Sequence, residues 1–272
     1  MLTWSRHQAD KALMTFCTLA SGSSGNATYV GFDGKHFLVD CGLSGKRIVS
    51  ALERIGVDKL HGIFVTHEHT DHVSGVGVLA RRFGLDVFAS PLTWRYLTRH
   101  DRVGRIFESQ MKVVVPGCAI HIGETRVLAF SVPHDASDAV GYSFSCGEKK
   151  IVVATDLGQQ TETVINEMKG AKLILLESNH DPEMLKKGRY PADLKKRVAG
   201  NRGHLSNAAA GVMLAEVVVP NYTYVYLAHL SEENNTPMLA YDTVGRILEA
   251  NGVKPAGLYV ADRFFPGEKV EL

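Results

Sequence analysis

Seven consecutive residues, Thr66-His67-Glu68-His69-Thr70-Asp71-His72, crowd three imidazoles and the Asp71 carboxylate into one short stretch. Such a cluster has to be held by a rigid frame, and its flanks supply one. Gly62 to Val65 reads as a buried strand and Val73 to Phe83 as a helix, so the cluster falls on a strand-to-helix loop. His67 and His69 alternate with Glu68, so an extended backbone points both rings the same way, while Asp71 and His72 turn onto the opening of the helix. One metal ion can take the first pair and a second the next. Imidazole with carboxylate suits zinc, manganese or iron, and the carboxylate share keeps manganese in contention. Helix capping alone needs one Ser, Thr, Asp or Asn, not three histidines.

The rest of the chain alternates short apolar strands with turns and helices. Phe16 to Ala20, Ala27 to Gly31 and His36 to Asp40 read as a meander, the first two joined by Ser21-Gly22-Ser23-Ser24-Gly25-Asn26. That loop reads as a hairpin connection, with a phosphate cradle of backbone amides as the sharper alternative. Asp40 ends an apolar strand: buried it needs a partner, and otherwise it is a turn aspartate before Gly42. Arg47 to Ile55 has helical spacing. A strand at Leu85 to Ala89 leads to a helix from Pro91, on or beyond which Arg95, Arg99, Arg102 and Arg105 face only Asp101. Those arginines read as a solvated face or as a phosphate-contacting edge.

Lys112 to Ser145 is strand upon strand, with turns at Pro116-Gly117 and Gly123-Glu124. Beyond it, polar residues gather at strand ends. His134 follows Pro133, Asp156 follows Ile151 to Ala154, Glu177-Ser178-Asn179-His180-Asp181 follows Leu173 to Leu176, and His229 follows Thr223 to Leu227. Taken singly, His134 reads as an ordinary histidine and Asp156 as a cap for the helix near Thr161. Lys186, Lys187, Arg189, Lys195, Lys196, Arg197 and Arg202, opposed only by Asp193, form the clearest basic stretch and read as a solvated helix or a nucleic-acid rim. His204 precedes Ser206, a natural N-cap for a helix from Ala208 to Val217. Pro237 opens a helix to Ala250, and Gly257 to Ala261 is a closing strand.

Mixed α and β elements in 272 residues, 45% of them apolar, fit one domain spanning 1–272, with 1–14 as a loosely held lead-in that lacks a signal peptide's apolar centre. No run approaches the ~18 to 20 apolar residues of a membrane span. A formal charge of +1 means that any polyanion site is a local patch. Cys17, Cys41, Cys118 and Cys146 form no CxxC pair, which points to reduced thiols in a cytoplasmic protein.

The pattern His67-x-His69-x-Asp71-His72 resembles the signature of the metallo-β-lactamase superfamily, and Asp40, His134, Asp156 and His229 follow in that family's order. The resemblance implies an αββα sandwich of two mixed β-sheets with helices on the outer faces. It implies two divalent ions, zinc or manganese with iron a further candidate: His67, His69 and His134 on the first, Asp71, His72 and His229 on the second, Asp156 bridging, and Asp40 bracing from behind. It also implies hydrolysis by a metal-bound hydroxide, which Asp71 could orient. Glu177 and His204 resemble the pair that ribonuclease Z-type phosphodiesterases set beside their metals, with His180 in support behind them. There a Glu-paired histidine steadies the phosphorane or protonates the leaving oxygen. Ser21 to Ala27, Glu177 to Asp181, Gly203 to Asn207 and His229 to Asn234 are together similar to the YycJ/WalJ group of bacterial nucleases.

That similarity implies a 5′-to-3′ exonuclease on double-stranded DNA, with the Lys186 to Arg202 basic residues contacting substrate. The short span from Asp156 to His229 leaves no room for a β-CASP insert, and no segment resembles ribonuclease Z's glycine-rich arm. A ribonuclease Z-like RNA nuclease, a hydrolase of a small cyclic phosphodiester or thiolester, and a non-catalytic metal-binding module are the alternatives.

Overall fold

A computed structural model describes residues 13–272 of the chain. The first part of the fold holds strands β1 (Thr15–Ala20), β2 (Ala27–Phe32), β3 (Lys35–Val39), β4 (Gly62–Phe64), β5 (Asp86–Ala89) and β6 (Met111–Val113), with helices α1 (Gly45–Arg54), α2 (Thr70–Val73), α3 (Val76–Phe83) and α4 (Pro91–Arg99). The second holds β7 (Ala119–Ile122), β8 (Thr125–Ser131), β9 (Val140–Cys146), β10 (Lys149–Ala154), β11 (Leu173–Glu177), β12 (Tyr224–Ala228) and β13 (Gly257–Val260). Its helices are α5 (Glu162–Met168), α6 (Pro182–Lys187), α7 (Ala192–Val198), α8 (Asn207–Val217) and α9 (Pro237–Ala250). A last strand, β14 (Val270–Glu271), returns to pair with β1.

Two seven-stranded sheets result, ordered β14-β1-β2-β3-β4-β5-β6 and β13-β12-β11-β10-β9-β8-β7. In each, hairpin-linked antiparallel strands give way to parallel strands joined through helices. Parallel strands covered on both faces read as unbroken apolar runs, and Leu173–Glu177 is buried at every residue for that reason. Apolar residues form three layers. One lies between the first sheet and its helices, with Ile48, Leu79 and Trp94, and another between the second sheet and its helices, with Ile165, Met213 and Val244. The middle layer is aromatic, and in it the Phe64 ring sits 4.6 Å from Phe88, 5.2 Å from Tyr142 and 5.3 Å from Phe144. Both sheets thus share one interior with helices outside, the expected αββα sandwich.

Two expectations need correction. The lead-in assigned to 1–14 lies outside the described residues except for its last two, and of these Met14 is fully buried in the aromatic layer, its carbonyl accepting from Leu272 N. The helix expected over Val73 to Phe83 is broken into α2 and α3. Asn26 N takes the Asp71 carbonyl that Gly75 N would use, and Gly75 N donates to Cys41 O instead. A loop from another part of the chain therefore interrupts the helical ladder beside the histidine cluster.

Candidate metal centre

The loops after β4 and β12, which carry His67 to His72 and His229, leave the C-terminal ends of parallel strands, while His134 follows the antiparallel strand β8 and His204 precedes α8; all meet along one edge of the sandwich. Asp40 follows β3, His67 to His72 follow β4, Asp156 follows β10, Glu177 closes β11 and His229 follows β12. Asp40, Asp156 and His229 have left-handed backbones, with φ of 62°, 57° and 54°. Outside glycine such a conformation is uncommon and costly, so its recurrence at three strand ends marks a built feature. Close packing fixes the loops: a Cβ on Gly42 would lie 1.5 Å from the Asp71 carbonyl oxygen, so only glycine fits.

Two overlapping groups of donors result. His67, His69 and His134 bring ring nitrogens within 4.8 Å of one another, and Asp71, His72 and His229 do the same. Asp71 Oδ2 is 3.4 Å from Nε2 of both His72 and His229. Asp156 lies between the groups, with Oδ2 3.2 Å from His72 Nε2 and Oδ1 3.6 Å from both His134 Nε2 and His229 Nδ1.

The surroundings prepare these atoms for cations. His67 Nε2 and Asp156 Oδ2 are buried without a hydrogen-bond partner, a costly state that a positive ion would relieve. Behind the rings, oxygen atoms occupy the other nitrogens: Asp40 Oδ2 at His72 Nδ1 (2.7 Å), Thr66 Oγ1 at His67 Nδ1 (3.0 Å), Gly203 O at His134 Nδ1 (3.1 Å) and Glu177 Oε1 at His229 Nδ1 (2.7 Å). Such contacts set tautomer and ring orientation. Asp40 itself is held by Thr66 N and Oγ1. These residues fit a pair of divalent ions.

Electrostatics agree. Burial alone would raise the Asp156 carboxyl, yet His229 and His72 hold it well below the usual carboxylate range. Burial likewise opposes charge on His72, but Asp156, Asp40 and Asp71 keep its imidazole well above the ordinary value. Glu177 is fully buried. Its Oε1 accepts from His204 Nδ1 and His229 Nδ1, each at 2.7 Å, and its Oε2 from the amides of Leu157 and Leu205. Against the desolvation that would raise it, His204 holds the Glu177 carboxyl down to about 2. Glu177 and Asp156 in turn raise His204 against its own burial. Of Asp156, Glu177, His204 and His229 only His204 is partly covered, its side chain 19% exposed.

The metal-site residues named from the sequence, His67, His69, Asp71, His72, His134, Asp156 and His229, are therefore brought together, with Asp40, Glu177 and His204 against them. His180 is buried nearby, but among the described residues its ring bonds no member of the cluster; its carbonyl accepts from Asn207 N. The basic stretch divides. Arg202 donates through Nε (3.0 Å) and Nη2 (2.8 Å) to the His134 carbonyl, and Arg197 pairs with Asp135, so these two brace the His134 loop. Lys187 pairs with Glu183, and Lys195 donates to the Lys186 carbonyl. Among the described residues no bond joins Lys186, Lys187, Arg189, Lys195 or Lys196 to the cluster.

Sequence reasoning missed several braces. Asn26 Nδ2 lies 3.3 Å from Asp71 Oδ2 and 3.1 Å from His72 Nε2, and Ser21 Oγ accepts from His229 N. The Ser21 to Asn26 loop is thus a hairpin connection, as read, that also clamps the site; its unusual wording was the available signal. Glu68 turns away from the cluster to accept from Ser137 N and Oγ.

Among the described residues no helix is long and apolar enough to cross a membrane. Residues 20–229 match the family model described as "Metallo-beta-lactamase superfamily". The exodeoxyribonuclease YycJ of Bacillus anthracis is 40% identical over 239 residues, 87% of this chain and 90% of that protein. The exodeoxyribonuclease WalJ of Streptococcus pneumoniae is 38% identical over 231 residues, 84% of this chain and 86% of its own. Among solved structures, the metallo-beta-lactamase fold protein YhfI from Bacillus subtilis superposes with a TM-score of 0.68 at 17% identity, covering 96% of this chain and 100% of that one, a likeness of fold alone. With a family model matched across most of its length and relatives of this identity over most of theirs, the chain is a metal-dependent hydrolase and belongs to the metallo-beta-lactamase superfamily.

Proposed function

We propose that the protein is a dinuclear metal phosphodiesterase that digests double-stranded DNA from the 5′ end. The observation that carries this reading is the Glu177–His204 pair, set against Asp156 and His229 where the His204 side chain is partly open to solvent. A histidine kept protonated by a buried carboxylate provides what phosphodiester cleavage needs, a donor for the leaving oxygen or for charge on phosphorus. The names of the two bacterial relatives support DNA as the substrate.

In this reading His67, His69 and His134 would hold one ion, Asp71, His72 and His229 a second, and Asp156 would take part in holding them. When bound, two divalent ions of zinc or manganese supply Lewis acidity, making a nucleophile of water near neutral pH and drawing off charge that builds on the phosphate. The chain's own residues do the rest. Asp71, braced by Asn26, accepts a hydrogen bond from the attacking water and aligns it. His204 gives its Nε2 proton to the departing sugar oxygen, and Glu177, bonded at Nδ1, stabilises the charged ring beforehand. Asp40 and Thr66 fix the rings of His72 and His67, so no reorganisation accompanies the reaction. With four unlinked cysteines, three of them buried, a reducing cytoplasm is the proposed setting.

Digestion of a linear duplex labelled at one 5′ end, with manganese, magnesium or zinc, tests this directly. Progressive loss from the 5′ end that disappears in Asp71→Asn is the expected result. Loss from the 3′ end, or cleavage of RNA alone, would overturn the substrate and polarity while leaving the hydrolase intact.

A further inference from the structure

Beside the loop that follows His134, α4 borders a cleft of about 260 Å³ lined by Leu92, Arg95, Tyr96, Arg99, His100 and Ser137. Five of these residues lie on α4 or at its C-terminal cap, and Ser137 comes from the loop after His134. Ser137 faces the cleft while its N and Oγ hold Glu68, the residue between His67 and His69, at 2.7 and 2.6 Å. At the other end, Ser90, which caps α4, donates through Oγ to the Asp138 carbonyl. The cleft is therefore rigidly fastened to the site by contacts at both ends.

Its chemistry is that of an anion site beside an aromatic surface. Arg95 and Arg99 stand one helical turn apart and exposed, and among the described residues neither is in an ion pair. Neither Asp101, just past α4, nor Asp138, next to Ser137, is in an ion pair with them among the described residues. Arg197 and Arg202, by contrast, are spent on Asp135 and on carbonyl groups. Between the two free guanidinium groups, Tyr96 packs against His100 with ring centroids 4.4 Å apart. Guanidinium groups pair with phosphate oxygens, and flat rings offer a stacking face to a base of any sequence.

We propose that this cleft is a backbone-phosphate subsite for the nucleic-acid strand on its way to the cluster, with Arg95 and Arg99 as its cations and Tyr96–His100 as its base-contacting wall. The proposal rests on the nuclease reading. It assigns strand binding to α4, away from the α6–α7 basic stretch.

Binding of a fluorescent duplex oligonucleotide is measured by anisotropy in EDTA, where no cleavage occurs, for the wild type, Arg95→Ala/Arg99→Ala and Arg95→Lys/Arg99→Lys. Loss of two phosphate contacts makes the slope of log affinity against log salt shallower by about 1.8 in the alanine variant, while the lysine variant keeps the wild-type slope. Turnover of bis(p-nitrophenyl) phosphate, a single diester without neighbouring backbone phosphates, stays unchanged in both. Equal affinity and equal salt slope in wild type and alanine variant would overturn the subsite. A wild type that binds duplex through these arginines yet never cleaves it would overturn the exonuclease reading and leave the subsite standing.

Discussion

The two sheets are built alike and used differently. Each runs through three antiparallel pairings into three parallel ones, so β3 corresponds to β10, β4 to β11 and β5 to β12. Past β3 and past β10 the chain places an aspartate in the same left-handed conformation, Asp40 at φ 62° and Asp156 at φ 57°. The backbone device is one; the chemistry is opposite. Asp40 has its oxygens taken by Thr66 and His72, whereas Asp156 keeps Oδ2 without a hydrogen-bond partner among three imidazoles. The neighbouring strand end decides: Thr66 with two donors lies beside Asp40, while Glu177, already an acceptor of four hydrogen bonds, lies beside Asp156. A repeated frame can therefore leave the same residue with its oxygens taken in one place and with a buried oxygen unpartnered in another.

That contrast breaks if the two aspartates respond alike to substitution. Asp156→Asn should lower kcat by about 10⁴-fold or more, the scale for loss of a central member of a catalytic set, and its bound metal, read by elemental analysis, should fall for both ions. Asp40→Asn keeps a residue that tolerates the left-handed backbone, and should cost about 10- to 100-fold in metal affinity or activity. Equal losses in the two would remove the distinction.

His204→Ala falls between them, lowering kcat by about 10² to 10⁴-fold with metal content unchanged, since it acts on the substrate side of Glu177. A parallel loss of metal would make it a ligand and redraw the second half's role. Arg202→Ala sharpens the comparison further. It frees the carbonyl of His134, so ion affinity should weaken by about 10-fold with little effect on kcat at saturating metal, and isothermal titration with zinc reads this directly.

The smallest effect is expected at the join between the halves. Cys118, just before β7, is the exposed thiol, while burial pushes the Cys17 thiol up to about 12 and holds Cys41 well above its ordinary value. A thiol reagent should modify Cys118 alone in the native protein and leave activity intact. Reaction of Cys41, one residue past Asp40, before unfolding would show the first half's brace to be looser than its packing implies.

The residues that the fold gathers into the candidate metal cluster stand out in the sequence because most of them end an apolar run, where strand propensity and a sudden polar residue coincide locally. His67 to His72, Asp156, Glu177 and His229 carry that signal in their immediate neighbours, and the sandwich follows from the order of strands and helices together with the family's pattern. What neighbours could not reveal was how the loops use one another. The break between α2 and α3 depends on Asn26, 45 positions away along the chain from Asp71. Arg197 and Arg202 read as free cations until the fold set them against the loop of His134. Asp40 and Asp156 look alike in sequence, an acid after a buried strand, and only the contents of the adjacent strand end separate the carboxylate that is fully bonded from the one left with an unpartnered oxygen. Local pattern decides which residues can be presented at a strand end; hydrogen-bond satisfaction between distant loops decides what each one is left free to do.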